Sequence, residues 1–179
     1  MTKLHLGCGK NLKEDYINID AYVDFPGVVK ADVLNLPYKK NSVDEVLSEH
    51  MFEHVGFKEE EKLWNECFRV LKKGGKLIVE TPDFEWSCKQ FLEAEDKFTE
   101  WYKVGHLNHY FGNNKDVEQR WSLLTTTFFG NQNGEGQFHK NGYTKAKFLR
   151  IAKLVGFSSC EVIKIMNKGS QCLIATYVK

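Results

Sequence analysis

Two glycines and two aspartates near the start of the chain have the types and spacing of a nucleoside-binding site. Gly7 and Gly9 follow a short apolar stretch, where glycines let a ligand approach the backbone with no Cβ in the way. Asp20 ends the next segment, and a carboxylate there can accept hydrogen bonds from both hydroxyls of a ribose. Asp32 ends a third segment, where an acid can accept from an adenine amino group while Val33 packs on the ring.

Each of these features also has a structural interpretation. The pattern is only G-x-G, since Leu12 stands where the longer dinucleotide motif has a third glycine. A glycine turn can follow any strand, and an aspartate at a strand end often caps a turn. The ten residues from Gly7 to Tyr16 allow about one helical turn, whereas a parallel crossover usually needs a dozen residues or more. This short connection argues against a dinucleotide-binding domain.

Two histidines four residues apart, His50 and His54, raise the question of a metal site. Glu53 directly precedes His54, so the pattern is not H-E-x-x-H, and no third ligand follows at a recognisable spacing. The sequence therefore favours no metal.

The elements that would position these residues alternate between strand and helix. A helix is predicted from Lys58 to Leu71, ended by Gly74-Gly75, and another from Lys145 to Val155. Apolar or alternating runs predict strands over 3–6, 16–20, 28–33, 43–47 and 76–81, and a closing hairpin over 161–166 and 171–178. This alternation predicts an α/β fold with a largely parallel sheet.

Taken together, the motifs resemble small class I S-adenosylmethionine-dependent methyltransferases of the type 11 kind. The resemblance covers about residues 3–83 and is carried by Leu6-Gly7-Cys8-Gly9, Asp20, Asp32, Leu36-Pro37-Tyr38, Ser42-Val43-Asp44, Glu53-His54 and 69–77. It implies a Rossmann-like, mostly parallel seven-stranded sheet with a C-terminal antiparallel hairpin. It also implies S-adenosylmethionine as cofactor and S-adenosylhomocysteine as product.

The same resemblance implies which residues hold the cofactor. The cofactor-binding set is Leu6, Gly7, Cys8, Gly9, Asp20, Ala21, Asp32, Val33, Leu34, Glu49, His50 and Met51. His5 stands where many relatives have an acid, so a backbone carbonyl or a water would hold the cofactor's amino group.

We expect one domain over residues 1–179, with a core of about 1–83 and 140–179 and an insert of about 84–139. The insert follows the fifth strand, so its start lies at the carboxyl edge of the sheet, over the cofactor. A long segment with many aromatic residues there is typical of a helical and loop-rich substrate lid; helices that merely cover the sheet are the alternative.

Methyl transfer from a positively charged sulfur requires in-line alignment and, for a hydroxyl acceptor, removal of a proton. Histidine suits that proton transfer near neutral pH. His139 is the first candidate because the following crossover helix starts at the active edge, and His109, His106 and Asp83 come after it. A lone histidine is also commonly structural, so these assignments remain open.

Composition narrows the substrate class. The formal net charge is +1, and the chain has neither the Asn/Asp-Pro-Pro-Tyr motif of amino-directed DNA methyltransferases nor a Pro-Cys pair. These features argue against a nucleic-acid substrate and favour O-methylation of a small molecule such as a sugar or another metabolite. A catalytically silent cofactor-binding or scaffold protein and a nicotinamide-dependent oxidoreductase are the alternatives.

The five cysteines are scattered singly, without a C-x-x-C pair. This arrangement predicts reduced thiols in a cytoplasmic protein rather than a disulfide framework or a zinc site. We expect no signal peptide, because a strand begins at once, and no membrane association, because no apolar run is long enough. Oligomeric state is not predicted.

Overall fold

A computed structural model describes residues 1–93, 126–167 and 170–179 of the protein. Within them, seven strands form one sheet in the order β3-β2-β1-β4-β5-β7-β6. The strands are β1 (Lys3–Leu6), β2 (Ile17–Asp20), β3 (Val28–Lys30), β4 (Val43–Glu49), β5 (Leu71–Pro82), β6 (Ser159–Asn167) and β7 (Ser170–Val178). Strand β7 is antiparallel to both its neighbours and the other pairs are parallel. The predicted fold, including the closing hairpin, is confirmed.

The helices whose limits are given by the described residues are α1 (Glu60–Val70), α2 (Phe84–Glu93) and α3 (Lys145–Val155), with a 3-10 turn at Phe52–His54, and residues 126–129 are helical as well. Helix α3 has the predicted limits because both ends carry local signals. The Thr144 hydroxyl accepts from the Lys147 amide at 3.2 Å, and Gly156 ends the helix at a φ of 96°.

The core lies between the sheet and helices α1 and α3. Trp64 of α1 is 1% exposed, and its ring centroid is 4.8 Å from that of Phe52 and 5.2 Å from that of Tyr177. Phe148 of α3 stacks on Tyr143 at 4.9 Å. Burial of such large aromatic side chains anchors the turn after β4 and the segment before α3 to the same core.

Helix α1 ends earlier than predicted. Leu71 is already extended and pairs with Val43, so strand β5 begins directly after Val70. Gly74, at a φ of 77°, donates its amide to the Lys179 carbonyl at 2.8 Å. The prediction that Gly74-Gly75 ends the helix is therefore wrong. The helix ends because the fully buried Leu71 pairs with the neighbouring strand, and the two glycines lie within β5.

The first crossover contains no helix in the described structure, whereas its length allowed about one helical turn. Its loop lies against β4 through two polar contacts: Lys13 Nζ is 2.9 Å from Glu49 Oε2, and the Tyr16 hydroxyl donates to Glu45. The loop thus occupies the place of a helix over the start of the sheet.

No helix in the described part of the chain is both long enough and apolar enough to cross a membrane.

Candidate active site

A cavity of about 380 Å³ opens at the carboxyl ends of β1, β2 and β4. Strand order reverses between β1 and β4, and ligands of open α/β sheets bind where it does so. The cavity is lined by Gly7, Gly9, Asp20, Ala21, Tyr22, Val23, Asp32, Val33, Leu34, His50, Met51, His54, Val55, Glu59, Gly136, Gln137 and Lys140. Nine of the twelve residues predicted to bind the cofactor therefore line this one cavity.

The two glycines after β1 do different work, although both have positive φ. At Gly7, a Cβ would overlap the side chain of Met51. This glycine therefore lets the chain after β4 pack against the turn formed by residues 7–9, which we call the elbow. At Gly9, a Cβ would meet nothing within 4 Å, and the bare backbone faces the cavity. Gly9 is thus the position that leaves room for a ligand.

Asp20 joins β2 to the elbow. Its Oδ2 accepts the Gly9 amide at 2.9 Å, and its Oδ1 accepts the amides of Tyr22 and Val23 at 2.8 and 3.1 Å. An ionised carboxylate offers about four lone-pair sites, so these three bonds leave room for one further donor. The carboxylate fits one ribose hydroxyl while keeping its structural bonds; the expectation of two hydroxyls would require one of those bonds to be shared.

The far end of the cavity has the composition expected around adenine. Asp32 Oδ1 accepts the Leu34 amide at 2.8 Å, and Oδ2 makes no hydrogen bond within the described structure. Val33 and Leu34 are half-buried and line the wall beside it. A free carboxylate oxygen beside apolar side chains suits a flat base with an exocyclic amino group.

The end of the insert covers this cavity. Gly136 has a φ of 79°, and a Cβ there would lie 2.6 Å from the ring of Tyr22, so the chain rests directly on that ring. Lys140 and Asn141 donate their amides to the Glu53 carbonyl at 2.7 and 3.1 Å. Sequence reasoning missed Tyr22, Val23, Val55, Glu59, Gly136 and Gln137 as lining residues. Only Tyr22 and Val23, directly after Ala21, carry a local signal.

Three residues predicted to bind the cofactor do not line the cavity. The Leu6 and Cys8 side chains are buried in the fold, and burial, together with the charge of Asp20, raises the pKa of Cys8 to about 11. Glu49 turns to the loop of the first crossover, where its carboxylate lies 2.9 Å from Lys13 Nζ and 3.6 Å from His5 Nε2. His5 is held there too, bonded to Asn18 at 3.1 Å, and does not line the first cavity.

Residues 8–79 match the methyltransferase domain family. The matched segment is about two fifths of the chain and contains Gly9, Asp20 and Asp32. It supports the resemblance predicted from the sequence, to methyltransferases whose cofactor is S-adenosylmethionine.

The other comparisons cover part of the chain or concern the fold alone. An uncharacterized protein of Methanocaldococcus jannaschii is 47% identical over 76 residues, which are 42% of this chain and 30% of that protein. The match thus spans less than a third of that relative's length.

Two solved structures share the fold. A methyltransferase of Archaeoglobus fulgidus has a TM-score of 0.62 at 16% identity, covering 99% of this chain and 86% of that one. The 1,6-didemethyltoxoflavin-N1-methyltransferase of Burkholderia thailandensis, solved with S-adenosylhomocysteine, has a TM-score of 0.63 at 12% identity, covering 99% and 70%.

A second cavity, of about 420 Å³, adjoins the first and shares His50, His54 and Gln137 with it. Its other lining residues are Glu53, Pro82, Thr126, Thr127, Asn131, His139, Asn167, Ser170 and Cys172. Most of its lining residues have polar side chains, and among those that the structure describes none is lysine or arginine.

His50 stands between the cavities in an unusual backbone conformation, with a φ of 53°. Its Nδ1 is 3.3 Å from Glu53 Oε1 and its Nε2 is 3.2 Å from Glu80 Oε1. Burial alone would lower the pKa of His50, but hydrogen bonds to Cys172, Glu53 and Glu80 raise it to about 12. Both ring nitrogens therefore serve as donors to carboxylates.

His54 and His139 both line the second cavity and are in edge-to-face contact, with ring centroids 4.7 Å apart. His139 Nδ1 lies 2.7 Å from the Thr127 carbonyl, and His54 Nδ1 lies 3.1 Å from the Phe138 carbonyl. Burial lowers the pKa of His54, so its ring is neutral at pH 7. The structure thus brings one predicted catalytic residue, His139, to the cavity that adjoins the cofactor site.

The other predicted proton acceptors do not join it. The Asp83 carboxylate caps α2, accepting the Trp86 amide at 3.2 Å, and pairs with Lys164 at 3.0 Å. It lines neither cavity. His106 and His109 lie outside the described residues.

Proposed function

We propose that this protein transfers the methyl group of S-adenosylmethionine to a hydroxyl of a small molecule, such as a sugar or another metabolite. The observation that carries the proposal is the pair of adjoining cavities with a shared wall at His50, His54 and Gln137. One suits an adenosyl ligand, and the other holds the histidines.

The first cavity supports the cofactor. Gly9 leaves open space for the methionine part, Asp20 keeps one acceptor site for the ribose, and Asp32 keeps a free oxygen for the adenine amino group. His50 is shared by the two cavities and Met51, the next residue, lines the first, so both suit the sulfonium end.

The second cavity supports a small polar acceptor. Its volume is that of a small-molecule site, and the amides of Asn131, Gln137 and Asn167 can bind hydroxyl groups. The lack of basic side chains among its described residues disfavours a nucleic-acid backbone, which proteins bind through lysine and arginine.

Proton removal falls to His139. Because the Thr127 carbonyl can only accept, His139 Nδ1 carries the hydrogen and Nε2 presents a lone pair. The bound cofactor supplies a methyl group on a good leaving group, so the protein has to align the acceptor oxygen and take its proton.

Titration calorimetry with S-adenosylmethionine and S-adenosylhomocysteine tests the proposal first. We expect binding of both, followed by release of S-adenosylhomocysteine when a panel of sugars and other hydroxyl metabolites is added. Binding of NAD instead would support an oxidoreductase, and binding without turnover on any acceptor would support a silent cofactor-binding protein.

A further inference from the structure

We propose that Glu53, His54 and His139 bind a divalent transition-metal ion, best matched by zinc, at the acceptor cavity. The potential ligand atoms of these three side chains lie within 4.8 Å of one another. The inference rests on the proposed function, because the metal would act on the acceptor of that reaction.

Both imidazoles are oriented as metal ligands are. The Nδ1–H of His54 donates to the Phe138 carbonyl at 3.1 Å, and that of His139 donates to the Thr127 carbonyl at 2.7 Å. A carbonyl oxygen cannot donate, so each Nε2 is left with its lone pair. Metal-binding histidines nearly always fix their second nitrogen in this way.

Glu53 supplies an independent observation. Glu53 is only 2% exposed. Its Oε1 bonds to His50, whereas its Oε2 is buried and has no hydrogen-bond partner in the described structure. A buried carboxylate oxygen without a partner is costly, and a metal ion beside the two imidazoles would satisfy it.

The neighbouring set of His50, Glu80 and Cys172 also brings three donor atoms within 4.8 Å. There, however, both nitrogens of His50 already contact carboxylates, Glu53 at 3.3 Å and Glu80 at 3.2 Å. No histidine lone pair remains for a metal, so the structure favours the first set.

Two histidines and one carboxylate match zinc sites that keep an open coordination position. Bonds of about 2.0–2.1 Å to nitrogen and oxygen place tetrahedral ligand atoms about 3.4 Å apart, so small side-chain rotations would close this set around an ion. The fourth position would face the second cavity, where an acceptor hydroxyl can occupy it.

A metal at this site would activate the acceptor hydroxyl of the proposed reaction. Coordination lowers the pKa of a bound hydroxyl, so its O–H bond breaks and the proton passes to water. The oxygen then forms a bond to the methyl carbon as the carbon–sulfur bond breaks, which leaves neutral S-adenosylhomocysteine. In the metal-loaded protein, His139 holds the metal rather than the proton.

The test uses full-length, untagged protein stripped with a chelator and titrated with zinc in competition with a chromophoric chelator. We expect one tight site, and Glu53→Gln and His139→Gln should each weaken it by about 100-fold or more. Cobalt in place of zinc should give a tetrahedral absorption spectrum without thiolate charge-transfer bands. Affinity for S-adenosylhomocysteine, measured in parallel, should stay within about twofold in both variants, which shows that they are folded.

Matched controls are Cys172→Ser, in the competing set, and His5→Gln, a buried histidine outside both cavities. Both should keep the zinc site. Loss of zinc binding in Cys172→Ser, or unchanged zinc binding in His139→Gln, would overturn the metal site. Binding of S-adenosylhomocysteine without zinc binding would overturn this inference alone, whereas zinc binding without S-adenosylhomocysteine binding would support the metal site and overturn the proposed function.

Discussion

The amide of Gly9 donates to Oδ2 of Asp20 over 2.9 Å, which locks the elbow after β1 to the end of β2. The two residues face the same edge of the sheet, and both line the first cavity. A ligand there contacts a bare backbone and a carboxylate whose positions depend on each other. Changes at either residue should therefore affect both the fold and the affinity for the cofactor.

Substitution of Asp20 should separate these two effects. Asp20→Ala removes the acceptor of three backbone amides and of the ribose, so we expect affinity for S-adenosylhomocysteine to fall by about 10- to 100-fold, as for loss of a hydrogen bond to a charged group. Asp20→Asn keeps one oxygen for the turn and should recover most of the stability but little of the affinity. Calorimetry and urea unfolding measure the two quantities; unchanged affinity in Asp20→Ala would refute the ribose assignment.

Alanine should affect mainly the stability of the protein at Gly7 and mainly cofactor binding at Gly9. Gly7→Ala places a methyl group on Met51 in a positive-φ conformation, so we expect it to lower the free energy of unfolding by about 2–4 kcal/mol. Gly9→Ala meets no neighbour and should lose only about 1 kcal/mol, yet its methyl group occupies ligand space and should weaken cofactor binding at least tenfold. Equal effects of the two variants on stability would contradict this division.

The Cys8 thiol should be unreactive at mildly alkaline pH. Burial, reinforced by the Asp20 charge, raises its pKa to about 11, so only about one thiol in a thousand is ionised at pH 8. Peptide mapping after brief iodoacetamide treatment should find Cys8 unmodified while the half-buried Cys88 reacts. Asp20→Asn removes the charge and should speed modification of Cys8; rapid labelling of the unchanged protein would be the contrary result.

The parts of the site that could be predicted from the sequence are those with local signals. Gly9 lies three residues after the end of β1 and Asp20 is the last residue of β2, so topology alone brings them to one edge. Glu49 also ends a strand, but its side chain lies on the face of the sheet that Lys13 covers. Which face it takes depends on the register of β4 against β1, and no local pattern in the sequence predicts that register.

The rest of the site depends on contacts between distant segments. His139 meets His54 because the Lys140 amide bonds to the Glu53 carbonyl and Thr127 holds its ring, contacts for which the chain carries no pattern. For the same reason, spacing could not reveal that His139 lies beside Glu53 and His54. Gly136 likewise has no local mark that predicts its contact with Tyr22.

Glu66 and Arg69 of α1 hold the loop after Asp32, and we call this set of contacts the clamp. The clamp should make part of the free energy of unfolding depend on pH. Glu66 accepts the Leu36 amide at 2.7 Å and two donors of Arg69, and Arg69 donates to the Tyr38 carbonyl at 2.8 Å. The hydrogen bonds from Arg69 hold the pKa of Glu66 below its ordinary value. This contribution is therefore present above the pKa of the unfolded chain and is lost as pH falls through the folded value.

Glu66→Gln should consequently destabilise the protein more at pH 7 than at pH 3, when urea unfolding is compared at the two values. Because Leu34, at the start of the clamped loop, lines the first cavity, the variant should also bind S-adenosylhomocysteine more weakly at pH 7. Glu61→Gln, an exposed glutamate in the same helix, is the matched control and should show neither effect. If both variants lost the same stability at both pH values, the ionised Glu66 would not be what holds the loop.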